Sequence, residues 1–337
     1  MPGERNKNRH RPADQIRQGG RHSQLNNTGN GNQPMRRSSG ATHGDEAANL
    51  PDNFHNVESP SAKTSLTTQM LKTILICADD FGLSPGINSG IIKLAGQGRL
   101  SAASCMSRGR FFARDAQTLA PLPIQTGLHL NLTESLEGGE FYQPLPQLLR
   151  NSYLRKLNVK IIRHAIEYQL DAFETGLSRM PDYVDGHQHV HQFPVIRECL
   201  IEVLRRRYPE HRPWLRSTLP GTLSALPLKQ QFKAWLIGFL GVYALTKQAQ
   251  RAGFSMNHHL FGVYDFQGGE AMFLKFMSAW LAAATSNDLL MCHPATAADP
   301  ADVLGPQRVA EYAVLSGNAL PPLLERHGLT LLKSPRY

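Results

Sequence analysis

The segment DGHQHVHQF, residues 185–193, sets one acid and three histidines on alternate positions. Alternate residues of an extended strand share a face, so Asp185, His187, His189 and, if the strand continues that far, His191 are expected to point one way. Three histidines on one face have no packing rationale, because each desolvated imidazole needs a polar partner. A divalent metal supplies one, and a nearby carboxylate can fix the tautomer of the ligating ring; a solvated surface strand is the plainer alternative. Spacing alone does not choose between His187 and His189. Three further groups sit at the ends of apolar runs: Asp79 and Asp80 in CADDFG, His129 in GLHLNLT, and His293 in MCHPA. A carboxylate pair in such a place is costly unless a cation or hydrogen bonds compensate, although the two acids would also suit a helix N-cap. His129, between two leucines, would by itself suit a buried histidine bonded to a carbonyl. One carboxylate and two histidines from separate strands leave coordination positions open for water and reactant, as a catalytic metal requires. The second carboxylate and a spare histidine are then available as general base and general acid. This is the equipment of a metal-assisted hydrolase.

These residues must be positioned by an α/β framework. KTILICADD reads as a strand buried on both faces in a parallel sheet, and SPGINSGIIKLAGQG as a helix with Ser84 as N-cap, Pro85 at its first position and Gly98 near its end. LSAASCM, QTGLHLNL, PDYVDGHQHV, PWLRST and DLLMCHPA read as further strands. Helical patterns lie over 110–119, 155–177, 194–207, 228–252, 270–285 and 306–317, with Ile162, Ile166, Leu170 and Phe173 at helical spacing in the second. The alternation predicts a single α/β domain, a distorted TIM-like (β/α) barrel over residues 69–337, whose functional groups gather at the C-terminal ends of its strands.

Residues 1–68 are rich in Asn, Gly, Ser, Arg, Gln and Pro without apolar periodicity, and are expected to be a disordered tail. Met70 opens directly onto the first strand, so a start there would account for the tail. The chain is 337 residues long and carries a formal charge of +9, with nine of its basic residues in that tail and the remainder only mildly basic, a weak case for a folded nucleic-acid surface. Its four cysteines, Cys77, Cys105, Cys199 and Cys292, are widely spaced and read as free buried thiols of a cytoplasmic protein. No secretory signal or transmembrane segment is expected: WLIGFLGVYAL, residues 235–245, is about half the roughly 20 apolar residues a span needs, and reads as a buried helix. The segment 133–181 and the helix near 228–252 could shape a groove for a sugar chain, dock a lipid-linked sugar, or meet a second subunit in a homodimer. A metal phosphoesterase, another amidohydrolase, or a non-catalytic binding protein with a basic tail are the rival readings of the chain as a whole.

ADDFGLSPGINSGI, GLHLNLTE, DGHQHVHQFP and MCHPA, in this order and spacing, resemble the YdjC-like carbohydrate deacetylases, which include chitooligosaccharide deacetylases and hopanoid-biosynthesis-associated deacetylases. The resemblance covers about residues 72–333, AGFSMNHHLFGVYDFQG included, and omits the tail. It implies a distorted TIM-like barrel and hydrolysis of an N-acetyl group on an amino sugar, either a chitooligosaccharide or a glycolipid. Carried over position by position, it implies Asp80, His129 and His187 as metal ligands, Asp79 as general base and His293 as general acid, with Mg or Zn favoured. The family's Asp-Ser-His corresponds to Asp185, Gly186 and His187, and Gln188 stands where some members carry another histidine. Arg216 and Asp265 could contact the substrate, orient the base, or be ordinary structural residues.

Overall fold

The apolar run Ile74–Ala78 is fully buried on both faces of the strand β1 (Lys72–Phe81), as expected where helices cover one face of a parallel sheet and the other closes on itself. The computed structural model built around it describes residues 72–136 and 141–332; the tail expected over residues 1–68 lies outside the described residues. After β1 come α1 (Pro85–Gly96), β2 (Ala102–Cys105), α2 (Phe112–Leu119), β3 (Gln125–Leu130), α3 (Leu145–Tyr153), α4 (Val159–Leu177) and β4 (Tyr183–Gly186). The second half runs α5 (Ile196–Arg207), β5 (Trp214–Leu215), α6 (Leu228–Phe239), α7 (Val242–Arg251), β6 (Leu260–Phe261), α8 (Gly269–Ala283), β7 (Asp288–Cys292), α9 (Gly305–Ser316), α10 (Leu320–Arg326) and β8 (Leu329–Leu331).

The strands pair in parallel in the order β5-β4-β3-β2-β1-β7-β6. The two ends of that path are joined by single parallel bridges, Leu215 to Met256 and Pro220 to Leu260, so the sheet curls into a distorted α/β barrel. The short β8 pairs with the first residues of β1. Leu332 N–H donates to Ile74 O and Ser101 N–H to Ile76 O; alternate carbonyls point the same way, so β8 and the β2 side share one edge of β1.

Alternation along the strands divides the core in two. Ile74, Ile76 and Ala78 face the helices, whereas Leu75 and Cys77 join Tyr183, Trp214, Leu289 and Met291 inside the barrel. Tyr183 stacks on Trp214 with ring centroids 4.4 Å apart. It has room because the neighbouring strand carries Gly127, where an added Cβ would fall 2.3 Å from the tyrosine ring. At the start of α1, Ser84 caps as expected, its Oγ accepting from Ile87 N–H at 3.3 Å.

The 228–252 pattern corrects in one respect. It is two helices, α6 and α7, parted at Gly241, whose φ of 154° follows from its close approach to Gln192 O. The stretch 235–245 is therefore not a buried helix: Trp235 is 56% exposed, Phe239 65% and Tyr243 70%. Helices α3 and α10 and the short strands β6 and β8 fall outside the sequence reading; two or three residues carry too little periodicity to mark a strand.

Phe173 of α4 is fully buried and stacks on Phe112 at 6.3 Å. Phe173→Ala should cost about 3–5 kcal/mol, read as a lower urea midpoint at unchanged slope; an unmoved midpoint would contradict this packing.

Candidate active site

The C-terminal ends of β1, β3, β4 and β7 converge at one mouth of the barrel. On a regular strand Asp79 would face the interior with Cys77, and Asp80 would face the helices. The register with β2 slips between Ala78 and Phe81, and Asp80 takes a left-handed φ of 74°. Such a bulge re-aims a side chain, and here it brings both buried carboxyls to the mouth.

His129 follows from strand register. It lies directly opposite Asp185 on β4, and its Nδ1 is 2.7 Å from Asp185 Oδ1. A carboxylate only accepts, so Nδ1 carries the hydrogen and Nε2 is left facing Asp80 Oδ1 at 3.4 Å. His187 approaches the same oxygen, with Nδ1 at 3.1 Å, while its Nε2 lies 3.5 Å from Glu134 Oε1.

The expectation that His187, His189 and His191 share one strand face is overturned. The strand β4 ends at Gly186, and His187–Gln192 form a short 3-10 turn in which Gln188 (φ 52°) and His189 (φ 61°) are left-handed. Gly186 permits this: a Cβ there would lie 2.9 Å from His191 N, where the chain folds back. The three histidines therefore part. His187 turns to Asp80, His189 lines the cavity with its Nδ1 unpartnered by protein, and His191 is buried with Nε2 donating to Arg216 O at 2.9 Å. Gln188 is exposed at the cavity's edge.

Buried charge dominates the electrostatics. Arg216 donates to both oxygens of Asp79 at 2.7 Å, to Ser104 Oγ and Cys77 Sγ at 2.9 Å, and reaches Asp185 Oδ2 at 2.5 Å. Cys77, Asp79 and Asp185 thus gather around a cation the chain already provides. Arg308 of α9 holds Asp80 Oδ2 at 2.7 Å. Burial opposes ionisation of Asp79, but Arg216 and His129 hold its carboxyl well below the usual range; Arg308 and His187 do the same for Asp80 against its burial. Burial likewise opposes a charged His129, yet Asp185 and Asp79 push it up to about 10, and Asp80 raises His187. Three buried carboxylates against two guanidiniums leave the mouth short of positive charge, and the raised imidazoles express that deficit.

His293, at the end of β7, is held through its backbone. Its N–H donates to Glu311 Oε2 at 2.5 Å, and Tyr264 Oη–H to Glu311 Oε1 at 2.5 Å. Burial raises Glu311 to about 7. The His293 ring stands edge-on to Phe266 at 5.0 Å, its Nδ1 has no protein partner, and burial pushes it down to about 4. A cavity of about 450 Å³ has Asp79, Asp80, His129, His187 and His293 at its polar end and Leu145, Phe193, Leu236, Ile237 and Phe266 on its apolar wall. Asp265 is not among these groups; it pairs with Lys229 at 3.0 Å.

Asp80, His129 and His187 can each offer one ligand atom, and these atoms lie within 4.8 Å of one another. Ligands about 2.1 Å from an ion stand roughly 3.0–3.4 Å apart at octahedral to tetrahedral angles, and the contacts at 3.1 and 3.4 Å to Asp80 Oδ1 match. Asp185 behind His129 completes the carboxylate–histidine arrangement that commonly supports a ligating imidazole. The donor set therefore fits a divalent cation.

Sequence reasoning did not find Arg308, Glu311 or Glu134. The signal for the first two was present: Arg308, Glu311 and Leu315 share one buried face of α9, and an ion-forming pair on an apolar helix face marks a buried polar network.

Residues 73–326 match the family described as YdjC-like protein, and the chain belongs to that family. It is 26% identical over 275 residues, 78% of this chain and 97% of the relative, to the chitooligosaccharide deacetylase of Proteus mirabilis. A mouse carbohydrate deacetylase is 30% identical over 145 residues, 39% of this chain and 47% of its own length. A solved structure from Enterococcus faecalis, provisionally described as a cellobiose-phosphate cleavage protein, covers 78% of this chain and 97% of its own at TM-score 0.57 and 18% identity, a likeness of fold.

Two pH effects of opposite sign follow for metal-free protein. His191 and His293 have folded pKa values of about 4, below the unfolded value of about 6.5. The unfolded chain takes up those protons first, so stability falls between about pH 6.5 and 4. His129, raised to about 10, contributes stability that is complete below about pH 6.5 and lost as pH rises through 10. Urea unfolding in EDTA should show a maximum near pH 6.5–7.5, with His191→Gln flattening the acid limb by about one proton; an acid limb equally steep in the variant would contradict the assignment.

Proposed function

We propose that this protein, through a deacetylase domain spanning 69–337, is a metal-dependent carbohydrate N-deacetylase that hydrolyses the acetamide of an acetylated amino sugar to acetate and a free amine. The observation that carries this reading is the meeting of Asp80, His129 and His187 around one point beside an ionised Asp79. The family's curated relatives, named chitooligosaccharide deacetylase and carbohydrate deacetylase, support the reaction class.

Asp80, His129 and His187 would hold Mg or Zn. Bound there, the cation would polarise the amide carbonyl and make water a better nucleophile at neutral pH. Asp79 is the base: Arg216 keeps it ionised and fixes both of its oxygens, so its remaining lone pairs can accept the proton of an attacking water. Asp185 acts through His129, holding the ring so that Nε2 faces the substrate end of the cavity. His293 is neutral at pH 7 because of its burial; negative charge growing on the substrate oxygen raises its affinity for a proton, so the proton that Asp79 takes from water can pass by way of His293 to the leaving nitrogen. Glu311 sets its position through the backbone. The apolar wall excludes water and suits the acetyl methyl and the flat faces of a sugar ring. The substrate class this accommodates is a chitooligosaccharide-like or glycolipid-linked N-acetylglucosamine.

Acetate release from N-acetylglucosamine oligomers and glycolipids, assayed after EDTA with Mg or Zn restored, tests the reading. Asp79→Asn should keep its bound metal and lose about 10²–10⁴-fold in kcat, whereas His187→Ala should lose the metal itself. Wild-type protein that releases no acetate from any such substrate, or two variants as active as wild type, would overturn it.

A further inference from the structure

The outer surface of the α6–α7 hairpin carries a cluster of exposed large apolar side chains. Leu228 is 81% exposed, Phe232 62%, Trp235 56%, Phe239 65% and Tyr243 70%. On α6 they recur at i, i+4, i+7 and i+11, one helical stripe. Phe232, Trp235 and Phe239 also touch in sequence, with centroids 6.3 and 5.3 Å apart, so the row is a continuous aromatic ridge and not a scatter of lone residues. Contiguous exposed apolar surface of this kind marks a contact site.

Charge says what the contact is. Between Glu210 and Asp265 there is no acidic residue, whereas Arg212, Arg216, Lys229, Lys233, Lys247 and Arg251 are basic. Arg216 is buried in the barrel, Lys233 lines the catalytic cavity and Lys229 pairs with Asp265, but Lys247 and Arg251 are exposed one and two turns beyond Tyr243 on the same stripe of α7. An aromatic ridge with lysine and arginine beyond it, no acid on either helix and the neighbouring Asp265 already paired with Lys229, is the composition of a helix that lies in the interface of an anionic bilayer. At 12 residues α6 is far shorter than a span, and among the described residues no helix is long and apolar enough to cross a membrane. A second copy fits less well. In a two-fold dimer the face would meet itself, setting Lys247 and Arg251 against their own copies with no acid on either helix and Asp265 already taken by Lys229. The tail over residues 1–68 is itself basic, so its charge complements a lipid surface and not this one.

We infer that the α6–α7 hairpin docks the protein on anionic lipid surfaces. Leu236 belongs to both faces of α6: it is 41% exposed and also lines the catalytic cavity, with Ile237 and Leu240 beside it. Docking therefore brings the cavity's apolar wall to the level of the lipid headgroups.

Flotation of the full chain with vesicles of phosphatidylcholine alone and of phosphatidylcholine mixed with phosphatidylglycerol tests this. The bound fraction should rise about tenfold or more with the anionic lipid and fall again in high salt. A variant combining Phe232→Ser, Trp235→Ser and Phe239→Ser should lose at least about tenfold of that binding. It should keep wild-type circular dichroism, melting temperature and acetate release from a water-soluble oligosaccharide, since none of the three side chains lines the cavity. Flotation does not depend on the deacetylase reading and decides the inference even if no acetate is released. Wild-type protein that floats with neither vesicle, a folded variant that floats as well as wild type, or a wild-type dimer that the substitutions convert to monomer without any vesicle binding would each overturn it.

Discussion

The structure turns on three carboxylates, Asp79, Asp80 and Asp185, buried together at the mouth of a parallel barrel with only two guanidiniums, Arg216 and Arg308, to balance them. Burying an unpaired charge is prohibitive. Arg216, itself fully buried, therefore ties Asp79 and Asp185 into one unit with Ser104 and Cys77. Arg308 crosses from the helical layer to Asp80 and is itself held by Asp302. What remains uncompensated is concentrated at Asp80 Oδ1, the one oxygen that His129 and His187 both face. The barrel thus creates a defined shortage of positive charge where a substrate can reach it.

Geometry and packing serve that arrangement. Parallel pairing places the C-terminal ends of β1, β3, β4 and β7 side by side, and the direct register of His129 with Asp185 turns a strand pair into an imidazole–carboxylate pair. The irregularity at Asp80 departs from regular strand geometry to bring consecutive acids to one place. Left-handed backbone for a non-glycine residue costs free energy, and Asp80, Gln188 and His189 each adopt it, a cost the surrounding packing must offset. Below the mouth, Tyr183 and Trp214 fill the interior and support the polar layer from beneath: Tyr183 Oη lies 2.8 Å from Ser104 Oγ, which in turn contacts Arg216 and Asp185.

Much of this was legible in the sequence because it is local or periodic. KTILICADD reads as a buried strand since its apolar run is continuous, and SPGIN as a helix start since capping acts over three residues. The barrel class follows from alternation of strand and helix signals, and the five candidate residues Asp79, Asp80, His129, His187 and His293 do come together around one cavity. The failures are equally physical. DGHQHVHQF has strand periodicity, but Gly186 lets the chain double back, and periodicity carries no information about where a strand stops. WLIGFLGVYAL has the composition of a core helix, but an apolar helix at a surface is written in the same residues, and only its location distinguishes them. Arg308 lies far along the chain from Asp80, and Glu311 meets His293 and Tyr264 only across the fold, so their roles depend on tertiary proximity that spacing does not encode.

A cation held jointly by Asp80, His129 and His187 is most directly tested by anomalous diffraction from crystals grown with Mn or Zn. A single anomalous peak within about 2.0–2.3 Å of Asp80 Oδ1, His129 Nε2 and His187 Nδ1 is predicted. A peak elsewhere in the barrel, or none at full metal concentration with the three side chains ordered, would contradict it.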